Sequence, residues 1–154
     1  MHHITVKEAR EKAMQWCSRR EYCSKDIFDK VVSWGCTTDE AREVVDFLIE
    51  QNFLNDRRYT EAFVKDKLRF NKWGRLKIAF MLRAQNIERN IVEEVLSDID
   101  ETEYNKILTC ELQKKIKSIR GNAFEIKGKL FRFAVSRGFE QEVIFEVISK
   151  ITGS

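Results

Sequence analysis

The chain has 154 residues, 43% of them apolar and 34% charged, with a net charge of only +3, enough for a packed interior beneath a strongly hydrated surface. No apolar run reaches membrane-spanning length, and the start, Met1-His2-His3-Ile4, is neither a basic nor an apolar leader, so a cytoplasmic protein with no membrane contact is expected. Proline is absent and there are six glycines, which favours helices joined by short turns.

In chain order, Thr5 with Glu8 has capping-box spacing, in which two backbone donors are satisfied reciprocally, and it opens a helix over 6–20. Ser24 is suited to cap a second helix, 25–34, which stops at Gly35-Cys36. Such a stop pairs a residue that tolerates left-handed backbone with an apolar follower. Thr37 with Glu40 opens 38–51, and Asp56 caps 57–71. Helix 75–85 stops at Asn86-Ile87, and Asn90 with Glu93 opens 91–100. The last helices are 102–120, 123–137 and 140–151; Asn122 with Glu125 opens the middle one and Gly138-Phe139 stops it. Gly128 lies inside that helix, at a cost of about 1 kcal/mol relative to alanine, and a close helix crossing would be the structural reason for it. No stretch alternates as a strand does.

The three stops are 51 and 52 residues apart, and sliding the chain by those offsets aligns its apolar positions. Ala41, Val92 and Ile144 coincide, as do Val44, Val95 and Val147, then Val45, Leu96 and Ile148, then Leu48, Ile99 and Ile151. That is one i, i+3, i+4, i+7 stripe written three times. Ile27, Ile78 and Leu130 align before the stops, with Val31, Leu82 and Ala134; the first helices pair more loosely, through Ala13, Val64 and Ile116. The expected fold is all-α, an elongated array of three tandem three-helix repeats over 1–54, 55–101 and 102–154.

Charge sorts along this array. Residues 57–83 carry nine Lys/Arg against Glu61 and Asp66, and 114–137 carry eight against Glu125, whereas 91–113 carry seven acids against Lys106. Stacked repeats bring equivalent helices side by side, so the two basic blocks are expected to form one stripe, although solvated faces with internal pairing would also account for them. On the helix from residue 57, Tyr59, Ala62, Phe63 and Phe70 form an apolar set widened by Val64 and Leu68, so most of these aromatics are read as core. Trp73, between Lys72 and Arg75 in a turn, is either a cover for that turn or a docking aromatic on a basic rim.

Cys17, Cys23, Cys36 and Cys110 form no CxxC pair, and His2 and His3 sit together at the N-terminus, so free thiols, buried or half-buried, are expected and no metal site or cofactor. With no phosphate-binding loop, no serine-nucleophile motif and no histidine elsewhere to act as a base, catalysis is not expected.

The stretch FLNDRRYTEAFVKDKLRFNKWGRLKIAFMLRAQNI, residues 53–87, resembles the RecX (OraA) family of recombination regulators. The likeness is carried by Leu54, Asp56, Arg57, Arg58, Tyr59, Ala62, Phe63, Gly74, Ile78, Leu82 and Ile87. Asn86 stands where many members have glycine, an exchange that left-handed backbone tolerates. The resemblance implies tandem three-helix repeats and binding along the groove of the RecA–DNA filament. It also implies suppression of strand exchange, ATP hydrolysis and co-protease activity, and weak, sequence-independent contact with single- or double-stranded DNA. Nothing in the sequence demands an oligomer, so a monomer is expected. The residues expected to make these contacts are Arg57, Arg58, Lys65, Lys67, Arg69, Lys72, Trp73, Arg75, Lys77 and Arg83, with Lys114, Lys115, Lys117, Lys127, Lys129 and Arg132. Arg57 and Arg58, at a positive helix end, gain nothing from the dipole and are expected to pair or to contact a partner. The competing readings are a stand-alone DNA-binding protein of helix-turn-helix-like units and a helical scaffold for another protein.

Overall fold

The computed structural model describes residues 4–153; His2 and His3 fall outside them. Among the described residues there are nine helices and no strand: α1 (Val6–Arg19), α2 (Ser24–Ser33), α3 (Thr38–Glu50), α4 (Asp56–Arg69), α5 (Arg75–Ala84), α6 (Arg89–Ser97), α7 (Glu101–Ile116), α8 (Ala123–Ser136) and α9 (Gln141–Thr152). They pack in threes along the chain, and α4 lies against α7, so the first helices of the second and third units are neighbours.

The repeated stripe is the core. Ile27, Ile78 and Leu130 are fully buried, as are Val31, Leu82 and Ala134, and the aligned positions of α3, α6 and α9 close over them. The three predicted stops are real. Gly35, Asn86 and Gly138 have φ of 104°, 57° and 91°. The amides of Cys36, Ile87 and Phe139 then donate back to the carbonyls of Val31, Leu82 and Ala134, which satisfies carbonyls the helix leaves open. Burial of Cys36, Ile87 and Phe139 ties each stop to the core it serves.

The interior falls into two clusters. One belongs to the first unit alone, and the other runs continuously through the second and third units. The continuity has a backbone cause. The amide of Gly74 donates to the Arg137 carbonyl at 2.7 Å, and that of Leu76 donates to the Gly138 carbonyl at 2.9 Å. A Cβ on Gly74 would lie 2.4 Å from the Gly138 oxygen, and one on Gly138 would lie 2.3 Å from the Lys77 Cβ. Two turns therefore meet where neither has a side chain.

Several expectations give way to tertiary structure. Asn55 and Cys23, rather than Asp56 and Ser24, occupy the N-cap positions of α4 and α2, and the Asn55 side chain accepts from the Arg58 amide. Asp56 instead reaches across to the neighbouring unit, where its carboxylate accepts from the Ser24 amide at 2.8 Å and the Ser24 hydroxyl at 3.0 Å, capping α2 from outside. Asn90 and Glu93 make no capping box; α6 starts two residues earlier and Glu93 pairs with Arg89. Helix α7 ends at Ile116 rather than 120. On α4 the buried set is Tyr59, Thr60, Val64 and Leu68, with Ala62 exposed and Phe70 80% exposed. Cys110, expected to be at least half-buried, is exposed.

The expected crossing at Gly128 is absent: the only atom near a Cβ there would be the tip of Arg132, at 3.4 Å. Glycine is demanded elsewhere. Gly74→Ala and Gly138→Ala should each cost about 2 kcal/mol or more in urea unfolding, through overpacking, whereas Gly128→Ala should be neutral or stabilising by up to about 1 kcal/mol. A Gly74→Ala protein as stable as the parent would show that the turns do not meet as described.

Candidate functional surface

The cations expected to form one stripe divide into two groups. The first is occupied within the chain. Arg57 pairs with Glu94, and Arg69 pairs with Glu103 at 2.9 Å. Arg58 pairs with Glu21 at 2.6 Å and donates to the carbonyls of Asn52 and Phe53 at 3.3 Å, closing the end of α3. Lys65 and Arg69 line a cleft of about 220 Å³ with Glu61, Asp98, Asp100 and Glu103, so this side of α4 faces the acids of α6 and α7.

Arg75 is the most committed of these. Its guanidinium binds Glu140 at 2.9 Å and Glu101, and it lies 4.0 Å over the Tyr104 ring. Tyr104 accepts from the Arg75 amide at 2.9 Å and donates its hydroxyl proton to Glu140. Burial opposes the Arg75 charge, but the hydrogen bond it donates to Glu140 and the surrounding negative groups outweigh it and hold the guanidinium pKa above its ordinary value.

The second group forms a band in which cations alternate with aromatic rings. Trp73, half-buried against the shared core, has the Lys77 ammonium 4.5 Å and the Lys67 ammonium 5.3 Å from its ring centre. Lys67 also lies over Phe63 at 5.4 Å. Across the glycine junction, Arg137 reaches the Asn71 carbonyl at 3.4 Å and lies 4.8 Å over Phe133, with Lys115 5.1 Å from the same ring. Lys114 adjoins through Glu111, which faces Arg137 as well.

The band continues into the first unit, where no site was expected. A hollow lined by Arg20, Tyr59, Phe63 and Lys67, with Glu21 and Asp66 also on its wall, joins the end of α1 to α4. Arg20 covers Tyr22 at 4.2 Å; Trp16 packs 5.6 Å from Tyr22 and 5.5 Å, edge-on, from Trp34; Lys30 and Lys12 cover the two tryptophans at 5.2 and 4.3 Å. Net charge concealed this cluster, since the unit is slightly acidic, but the three aromatics in a short stretch rich in Lys and Arg were the available signal.

The remaining expected residues lie apart from this chain of contacts. Lys72 is half-buried beside Trp73, with φ of 59°, while Arg83 and Lys117 are exposed. Lys129 donates to the Arg120 carbonyl, and Lys127 and Arg132 border a groove between α8 and α9.

Three family models match in succession, described as the first, second and third three-helix domains of RecX, over residues 9–48, 55–96 and 111–148. A regulatory protein RecX of Clostridium botulinum strain Eklund 17B is 33% identical over 146 residues, spanning 93% of this chain and 68% of the relative. The chain belongs to the RecX family. The RecX of Chlorobium phaeobacteroides is 26% identical, with 94% of each chain covered. The fold is also that of the RecX crystal structure from Lactobacillus salivarius, at a TM-score of 0.87 and 19% identity over 97% of both chains. A second crystal structure of a regulatory protein RecX gives a TM-score of 0.82 at 15% identity, over 94% of this chain and 73% of the other. The band draws on all three RecX domains: Trp16, Tyr22 and Trp34 on the first, Lys67, Trp73 and Lys77 on the second, Lys115, Phe133 and Arg137 on the third.

Among the described residues, no helix is long and apolar enough to cross a membrane, and no group of three His, Cys, Asp or Glu is arranged around a metal position. Two groups at the junction of the first and second RecX domains are strongly shifted. Burial pushes the Cys23 thiol from 9.0 up to about 12, and burial together with Cys23 and Asp26 pushes Tyr59 from 10.0 up to about 12. Both favour the neutral form in the folded chain, so their contribution is present below the unfolded values and is lost as pH rises toward 12. The urea midpoint should fall steeply between pH 9 and pH 11.5, and less so in Cys23→Ala. A midpoint flat across that range would refute this burial.

Proposed function

We propose that the protein binds the RecA–DNA filament along its groove and restrains the recombinase, using the cation–aromatic band as its contact face. One observation carries the reading: the band runs through all three units, the glycine junction setting Arg137 and Phe133 beside the Trp73 turn and the hollow between Arg20 and Lys67 joining the first unit. A continuous face of this kind suits a long polyanionic surface better than a pocket does, since phosphate contacts are individually weak and add along a track.

In this reading Lys67, Lys77, Lys114, Lys115 and Arg137 meet phosphate or the acidic surface of the recombinase, and Trp73 docks against it. Arg57, Arg58, Arg69 and Arg75 act indirectly, by holding the units in the relative positions that make the band continuous. We keep 1–54, 55–101 and 102–154 as the working division. A chain bound across neighbouring recombinase subunits restrains the relative movements that ATP turnover and strand exchange need, so inhibition follows from position alone and needs no catalytic group. A monomer acting in the cytoplasm is the corresponding cellular form.

The tryptophan cluster of the first unit favours a second contact, with single-stranded DNA. Partly exposed rings among lysines and arginines suit sequence-blind stacking, with a salt dependence of about −0.7 in log K against log salt per phosphate neutralised.

The test is RecA's DNA-dependent ATPase with added protein, together with binding to bare single strands, to RecA alone and to the assembled filament at two salt concentrations. Wild type should inhibit at micromolar concentration and prefer the filament. Lys77→Glu with Lys115→Glu should weaken filament binding at least tenfold without lowering the melting temperature. Arg57→Gln with Arg69→Gln should weaken it less than twofold. Equal losses in the two pairs would refute the band, and absence of ATPase inhibition would refute the regulatory reading. Equal affinity for bare DNA and filament would favour the stand-alone DNA-binding alternative.

A further inference from the structure

The α8–α9 face of the third unit carries a feature that the band does not use. Phe124, Gly128, Phe131 and Phe145 line an open groove of about 340 Å³, with Lys127 and Arg132 on its border. Phe124 is 86% exposed and Phe145 59% exposed, and Phe145 stacks on Phe131 with ring centres 5.1 Å apart. Single exposed apolar residues are ordinary, but three phenylalanines converging on one concavity are a contiguous apolar patch of the kind that marks an interaction site.

Gly128 strengthens the case. It weakens α8, yet no neighbouring helix approaches it and its backbone has no positive φ. What the missing side chain does is leave the groove floor open between Phe124, one turn before, and Phe131 and Arg132, one turn after. The fold needs Gly74 and Gly138; the groove is what needs Gly128.

The charge around the groove indicates the occupant. Helix α8 carries Lys127, Lys129 and Arg132, and its single acid, Glu125, is held in the capping box with Asn122. The acids of α9, Glu142 and Glu146, do not line the groove, and Glu146 pairs with Lys150. The border is therefore cationic and the floor apolar. A second copy docking face to face would set one basic border against another, which disfavours self-association. A nucleic-acid backbone would want cations along both walls, and α9 supplies none to the lining.

We propose that this groove is a docking site for a short acidic segment of a partner protein, which inserts one or two aromatic or branched aliphatic side chains between Phe124, Phe131 and Phe145. Its carboxylates lie along the α8 border, near Arg132. The volume sits at the small end of ligand-binding cavities, about 300–1,000 Å³, and suits anchor side chains of an amphipathic peptide. The proposal is independent of the nucleoprotein reading, because it uses a separate part of the third unit and a different chemistry.

The test selects a random 16-residue peptide library on the full chain, then measures synthesised winners by fluorescence polarisation. Winners should be acidic, with apolar anchors three or four residues apart, and should lose at least fivefold when their acids become lysine. Phe124→Ser removes an exposed side chain without touching the core, and Gly128→Leu fills the floor. Each should weaken peptide binding at least tenfold while leaving filament and DNA binding unchanged. The proposal is overturned if no winner distinguishes Phe124→Ser from wild type, or if the winners are neutral or basic. Displacement of bound peptide by a dT oligonucleotide would assign the groove to nucleic acid instead, and dimerisation abolished by Phe124→Ser would assign it to a second copy; either overturns the proposal.

Discussion

The contact on which the arrangement of the second and third units depends is between backbones. Gly74 and Gly138 bring two turns so close that the α4–α5 connection donates directly to the α8–α9 connection. Such an approach is possible only where both partners lack a Cβ, and it leaves the two units almost no freedom to slide or rotate. Around it the Arg75–Tyr104–Glu140 network supplies orientation: a buried hydroxyl that accepts from a backbone amide and donates to a carboxylate fixes α5, α7 and α9 relative to one another. Core continuity follows, and so does the placing of Trp73 next to Arg137. The candidate surface is thus a consequence of a packing constraint, with its side chains positioned by a backbone contact and a largely buried network.

The first junction is built on a different principle. Between the first and second units the connections are made by side chains: Asp56 on the start of α2, Arg58 on Glu21, and Gln85 on Asp26 at 3.2 Å. Cys23 is the residue of the first unit that joins the core of the other two. Clefts of about 370 and 470 Å³ border this junction, the first lined by Asp56 and Arg42, the second by Tyr59 and Arg20. Polar junctions of partly exposed groups contribute little net energy each, but they are directional. They hold the first unit in register with the others while leaving it a core of its own.

What was legible in the sequence was whatever repeats. The three stops, the triplicate stripe and the count of helices are local chemistry under a single period, and each copy corroborates the others. Errors gathered where a residue's partner lies in another unit. Asp56 has every local attribute of an N-cap, and its oxygen was taken by Ser24, thirty-two positions back. Phe70 falls on the apolar side of the α4 wheel, yet α4 ends at Arg69 and the ring projects from the turn. Gly128 and Gly74 look alike in sequence; only the opposing turn distinguishes a glycine required for approach from one that opens a groove.

Charge was the least transferable signal, for a physical reason. Of the nine cations in residues 57–83, four arginines (Arg57, Arg58, Arg69 and Arg75) pair with acids outside that segment, at Glu94, Glu21, Glu103, and Glu101 with Glu140. Arginine supplies all four, as expected of a planar donor suited to fixed carboxylate geometry. Two of the four lysines in that segment differ: Lys67 and Lys77, like Lys115 in the third unit, lie over aromatic rings, with Lys67 also 3.6 Å from its neighbour Asp66. In this fold four arginines of the second unit assemble the array, whereas Lys67 and Lys77 lie on its aromatic face. A count of net charge treats the two alike, and so places a stripe where the structure has one framework and one face.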